Sequence, residues 1–217
     1  ADAALVACPA VLGWLQRLKK CVGAAPIFVL AIVLHAIPGR IDAAEAVVVC
    51  QLVAVAIEEA RAMPFVDPEH IVLMGASHGG WAVLDMLSLH GQGKSPHNLT
   101  RWPASIRKNG LSGVAGMVLL YPYCGVASQV YNHGWKDDVP ALFLLVEDDK
   151  IVNEESCIGV IEKMKAYGRP VDKYLFKGTT HGFDQADKNA FSALEFSPEA
   201  TRAAAEIMRR FLRKVAQ

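Results

Sequence analysis

The sequence lacks an excess of either charge. Its 22 lysines and arginines are matched by 22 aspartates and glutamates, so no basic surplus points to nucleic acid or to an anionic membrane. It also lacks a long hydrophobic run. The longest, Ile27 to Leu34, is too short to cross a bilayer and reads as a buried strand. The N-terminus has no basic flank, apolar centre and cleavage pattern in secretory order, so the expected location is cytoplasmic. The sequon Asn98-Leu99-Thr100 matters only in a secreted chain. Cysteines number five, an odd count at wide spacing with no CxxC pair. That excludes a local zinc or redox motif and predicts reduced, mostly buried thiols, Cys124 among them. No internal repeat or low-complexity linker is present.

What is there suits a globular enzyme-sized domain. The chain has 217 residues, 53% of them hydrophobic, which is enough for one α/β domain over residues 1–217. Patterning predicts helices over 4–20, 42–62 (with Asp42 as N-cap), 154–167 and 198–216, plus one from the 75–80 turn to about His90. Strands are expected at Ile27–Leu34, Ile71–Met74, Gly116–Tyr121, Ala141–Val146 and Lys173–Phe176. Residues 91–113 and 122–139 read as loops. Strands alternating with helices imply a mostly parallel sheet covered on both faces. Ala46 to Ile57 has Gln51 as its one polar residue, which predicts deep burial.

The most informative stretch is Gly75-Ala76-Ser77-His78-Gly79. As a bare string, Gly-x-Ser-x-Gly is a weak signal, met also in any glycine-rich turn that carries a serine. Here it follows an apolar strand and precedes a helix, the context of a nucleophile elbow. A serine at a strained strand-to-helix turn brings chain two residues away into contact, and glycine removes the colliding Cβ atoms. The helix start also aims N–H groups and its positive dipole end at the site. His78, next after the serine, would supply an oxyanion N–H.

Acyl transfer by serine needs a base and an acid to orient that base. Asp148 and Asp149 stand just past the strand ending at Val146, and His181 lies in the loop after the next strand. In a parallel sheet these loops share one edge, where open α/β sheets bind ligands. Trp81, Tyr123 and Trp135 are the aromatic candidates for a substrate pocket, and Asp184 is placed to tie down the His181 loop. Lys94, Arg101 and Arg107 read as a solvated loop face.

Taken in order, Val72-Leu73-Met74-Gly75-Ala76-Ser77-His78-Gly79-Gly80, Tyr121-Pro122-Tyr123-Cys124-Gly125, Leu145-Val146-Glu147-Asp148-Asp149 and His181-Gly182-Phe183-Asp184 resemble the dienelactone hydrolase family of α/β hydrolases, over about residues 40–217. The resemblance implies Ser77 as nucleophile, Asp149 rather than Asp148 as acid, and His181 as base. It implies cleavage of small carboxylic esters or lactones through an acyl-enzyme, with no cofactor and no metal. Two departures stand out. The best-known members use a cysteine nucleophile. The family also carries an earlier strand ending in His-Gly, whose loop donates a second oxyanion N–H. Counting backwards leaves one helix in 41–70, one strand in 27–34 and one helix in 4–20. The expectation is therefore a sheet lacking N-terminal strands and that donor, with the apolar 46–57 stretch partly uncovered and favouring a homodimer. Two alternatives follow: a hydrolase-like protein of weak or no activity that binds a ligand, and a serine peptidase of the prolyl-oligopeptidase type. The latter usually adds a propeller domain for which this sequence has no segment.

Overall fold

The computed structural model describes residues 28–33, 43–95, 102–186 and 194–217. Five strands, β1 (Phe28–Val33), β2 (Ile71–Ala76), β3 (Val114–Leu120), β4 (Ala141–Val146) and β5 (Val171–Phe176), form one sheet. Their order in the sheet is their order in the chain. Each neighbouring pair is parallel. Parallel neighbours need crossover connections. These contain α1 (Ala43–Ala62), then α2 (His78–Gly91) and α3 (Ala104–Asn109), then α4 (Gln129–His133), then α5 (Glu154–Ala166), while α6 (Pro198–Val215) follows β5.

β2, β3 and β4 are apolar and buried almost throughout because both faces are covered, while β5, at the edge of the sheet, exposes Asp172, Lys173 and Tyr174. Alternate residues serve different layers. Ile71, Leu73, Met117, Leu119, Phe143 and Leu145 pack in the layer with α1, α2 and α5. Val72, Met74, Val118, Leu120, Leu142 and Leu144 pack in the layer with α6. Side chains of this size, fully buried, each contribute about 1.5–3 kcal/mol.

On α1, Val53, Ala54, Ile57 and Ala60 are buried, but Leu52 is 50% and Val55 42% exposed. Burial at 53, 57 and 60 is one helical face, so the deep burial expected around 46–57 holds only on that side from Leu52 onward. Two stretches expected to be loops contain short helices. Pro103 stands at the start of α3 and Gly110, φ 58, at its end. Those residues read as loop punctuation but here bracket a helix, proline opening and glycine closing. At five residues, α4 is too short to show a period. The 4–20 helix and the Asp42 cap lie outside the described residues. At the start of α6, Ser197 Oγ accepts from the Ala200 N–H at 3.1 Å, with Pro198 at the first helical position, the pairing of a capping serine with a proline that needs no N–H partner.

Val33 of β1 pairs with Ala76 of β2. The strand expected at Ile27–Leu34 therefore lies beside the elbow strand, and among the described residues no other strand precedes β2. Residues 34–42, on which any second oxyanion donor from this part of the chain would fall, lie outside the described residues.

Candidate active site

Ser77 sits between β2 and α2 with φ 50 and ψ −114. This is a disfavoured region for a residue with a Cβ. Its N–H donates to Leu120 O at 2.9 Å, which anchors the turn to the end of β3. The flanking glycine is required by space. A Cβ on Gly75 would lie 2.4 Å from the carbonyl carbon of Gly79. A Cβ on Gly80 would meet Pro122 Cβ at 2.8 Å, so α2 closes directly onto the loop after β3.

His181 is 6% exposed in the loop after β5. Its Nε2 is 2.9 Å from Ser77 Oγ and its Nδ1 is 2.8 Å from Asp149 Oδ2. A carboxylate only accepts, so Nδ1 carries the proton and Nε2 is left to accept from the serine hydroxyl. It is Asp149 that meets the imidazole; Asp148 is exposed. Asp149 Oδ1 accepts from the N–H groups of Ile151 (2.8 Å) and Val152 (3.3 Å). Burial works against ionisation of Asp149, but the hydrogen bond and charge of His181 and these two N–H groups outweigh it. The carboxyl is held below its ordinary value.

The His181 loop is fastened to α6 and to the core. Thr180 Oγ1 accepts from Glu195 N–H at 2.7 Å. Phe183 is fully buried, and its carbonyl accepts from Ser197 N–H at 2.8 Å and from Thr201 Oγ1 at 3.3 Å. Tyr121, just past β3, packs its ring 4.5 Å from the imidazole, and its hydroxyl donates to Asp184 Oδ1 in a short hydrogen bond. Burial, then the Asp184 charge, raise the phenol well above its ordinary value, so it stays a donor. Asp184 thus ties the loop down through a partner the sequence did not single out. Tyr121 read as the last residue of a strand, and nothing local announced its position against His181.

Trp81 is 7% exposed, one turn into α2, with its ring 5.8 Å from that of His78 and 4.8 Å from that of half-buried Tyr123. Its Nε1 donates to Asp85 Oδ2 at 2.8 Å. Asp85 Oδ1 accepts from Ser128 Oγ at 2.6 Å and Gln129 N–H at 2.7 Å. Trp81 and Tyr123 therefore stand together beside the elbow, with Tyr123 on the open side. Trp135 does not join them. It is 2% exposed, stacked on Phe143 within the core layer, because the chain after α4 turns inward onto β4.

Cys124 and Cys157 form a disulfide, with Cα atoms 5.0 Å apart across a sequence separation of 33. This corrects the expectation of reduced thiols for these two. Local spacing cannot reveal a bond between the loop after β3 and the first turn of α5. Among the described residues, no cluster of three or more His, Cys, Asp or Glu is arranged to hold a metal ion. Nor is any described helix long and apolar enough to cross a membrane.

A parallel sheet, a strained serine at a strand-to-helix elbow and a hydrogen-bonded His–Asp pair beyond it define the α/β-hydrolase fold class. The family model for dienelactone hydrolases matches residues 104–216, just over half of the sequence, and the chain belongs to the dienelactone hydrolase family. The matched segment contains Asp149 and His181 and begins after Ser77, whose position rests on the elbow geometry. Among solved structures, the apo form of Thermogutta terrifontis esterase 2 superposes with a TM-score of 0.58 at 18% identity, over 82% of this chain and 68% of that one. Its propionate-bound form gives 0.58 at 18%, over 81% and 66%. A dienelactone hydrolase-like promiscuous phosphotriesterase from metagenomic libraries gives 0.56 at 14%, over 76% and 61%. The chain thus spans about two thirds of the length of the esterase chains, and at these identities the likeness is one of fold. Comparison with curated protein sequences returned no significant match.

Proposed function

We propose that this protein is a serine hydrolase that cleaves small carboxylic esters or lactones through an acyl-enzyme. The observation that carries the reading is the continuous hydrogen-bonded line Ser77 Oγ–His181–Asp149, at 2.9 and 2.8 Å, on a serine held at φ 50. His181 Nε2 takes the hydroxyl proton as Ser77 attacks the carbonyl, and Asp149 holds the imidazolium that results. The His78 N–H, at the start of α2, faces the developing oxyanion. His181 then returns its proton to the leaving alcohol. In the second half it deprotonates a water, which attacks the acyl carbon and releases the acid and Ser77. Trp81 and Tyr123 form an aromatic wall that suits an apolar acyl or alcohol group.

The test is hydrolysis of p-nitrophenyl acetate and butyrate by the wild type and by Ser77→Ala. Loss of the nucleophile should lower kcat by about 10⁴-fold or more. One of the similar structures is Thermogutta terrifontis esterase 2 phosphorylated by paraoxon, and paraoxon is the matching covalent probe here. Mass spectrometry should find the label on Ser77. A folded wild type that neither turns over these esters nor takes the label would leave a hydrolase-like binding protein as the reading. Equal activity in Ser77→Ala would assign any turnover to another group.

A further inference from the structure

Glu154 is 8% exposed at the first position of α5, yet its side chain does not serve that helix. Acidic residues at helix starts ordinarily meet the first-turn N–H groups and the dipole. Here Oε1 accepts from Asp148 N–H at 2.7 Å and Oε2 from Asp149 N–H at 3.1 Å. Both oxygens reach back to the turn that presents the acid.

That turn needs an external hold. Asp148 at φ 55 and Asn153 at φ 51 both take positive φ, which Asp and Asn adopt more readily than other residues with a Cβ but which still costs more than in glycine. Four of its N–H groups are held by two carboxylates. Those of residues 151 and 152 go to Asp149 Oδ1, and those of 148 and 149 go to Glu154. This leaves Asp149 Oδ2 aimed at His181 Nδ1. Without Glu154, two buried or half-buried donors lose their acceptor and the turn loses what stabilises it.

We propose that Glu154 is a positioning residue: by gripping the Asp148 and Asp149 N–H groups, it sets the reach of Asp149 to His181. The inference rests on the reading of Ser77, His181 and Asp149 as catalytic machinery. Glu154 holds the backbone of the turn and acts on the imidazole through Asp149.

The test uses Glu154→Gln, which keeps one acceptor oxygen, Glu154→Ala, which keeps none, and Glu155→Gln, an exposed neighbour, as control. Turnover of p-nitrophenyl butyrate should fall about tenfold in Glu154→Gln. It should fall about 100-fold in Glu154→Ala, the scale of an ångström-sized misplacement. KM should stay within about twofold, since the Trp81–Tyr123 wall is untouched, and Glu155→Gln should match the wild type. The groups facing His181 are Asp149 from the turn after β4, Tyr121 with its partner Asp184, and Ser77 from the elbow. Of these only the Asp149 contact changes. The imidazolium loses support, and the acid limb of the kcat/KM profile should move to lower pH. Circular dichroism and Tm establish that each variant is folded. A folded Glu154→Ala with wild-type kcat and pH profile would overturn the proposal and leave Glu154 a purely structural residue.

A readout independent of turnover separates this from failure of the catalytic reading. The His181 Nδ1–H proton bonded to Asp149 should give a far-downfield NMR resonance, assigned by its loss in Asp149→Asn. The resonance should broaden or vanish in Glu154→Ala. If it persists unchanged there, the positioning role is wrong, whether or not the wild type hydrolyses esters.

Discussion

Three buried acids near the elbow differ in what surrounds them, and that difference decides their chemistry. Asp149 is held ionised by His181 and backbone donors, and Glu154 grips a turn. Asp85 is the most buried of them at 3% exposed, and burial pushes it up to about 6, although Ser128, Gln129 and Trp81 all donate to it. Its folded value thus lies above the ordinary carboxylate range near 3.9. The native state therefore binds its proton more tightly than the unfolded chain does. Stability from this group is fully present below about pH 4 and is lost as pH rises toward and through about 6. In Asp85→Asn that contribution disappears. The amide NH₂ also confronts either the Trp81 N–H or the pair of donors at Oδ1, so even at pH 7 the variant should be less stable, by about 1–3 kcal/mol. Urea unfolding from pH 4 to 7 should show the gap to wild type narrowing by about 2–3 kcal/mol as pH rises. A gap that stays constant or widens would contradict the assigned direction.

At the scale of elements, the elbow is a contact between two pieces of backbone. β2 and α2 approach so closely at Gly75 that a methyl group would lie 2.4 Å from the Gly79 backbone, and backbone there cannot swing aside as a flexible side chain can. Gly75→Ala should cost about 1–3 kcal/mol, the range of overpacking in a tight site. It should also slow paraoxon labelling of Ser77 by about 100-fold, because the serine shifts relative to His181. Thermal unfolding and labelling rates measure the two effects. Unchanged labelling would mean that the turn has room the geometry denies it. The loop after β3 is tied in at the same place, through Pro122 against Gly80 and Tyr123 against Trp81.

Across the whole molecule, the Cys124–Cys157 disulfide joins the loop that carries Tyr121 and Tyr123 to the helix that carries Glu154. Closing a loop of this length stabilises a fold by about 3–4 kcal/mol in the chain-entropy account. Peptide mapping without reduction should recover the Cys124 and Cys157 peptides linked. The paired Cys124→Ser and Cys157→Ser variant should unfold at a urea concentration lower by the corresponding amount. Equal midpoints for oxidised wild type and the double variant would remove the bond from the account of stability. The strap also bears on where the protein works. Disulfides persist in oxidising compartments, so the bond sits uneasily with the cytoplasmic location expected from the sequence.

The sequence by itself determined the parallel α/β layering and the elbow. Continuous apolar strands alternating with helices, and Gly-x-Ser-x-Gly after a strand, are local patterns whose physical cause lies within a few residues. It also brought out Asp149 and His181, through their positions after successive strands and through the family resemblance. Only the tertiary structure decided what depends on pairing across the chain. Trp135 left the candidate pocket for the core, β1 took its place beside the elbow strand, and two cysteines 33 residues apart joined. Tyr121 and Glu154 likewise acquired their places beside His181 and Asp149. None of these leaves a local signature, because a long-range contact is set by how layers pack, and a residue's neighbours along the chain do not report who will face it across a fold.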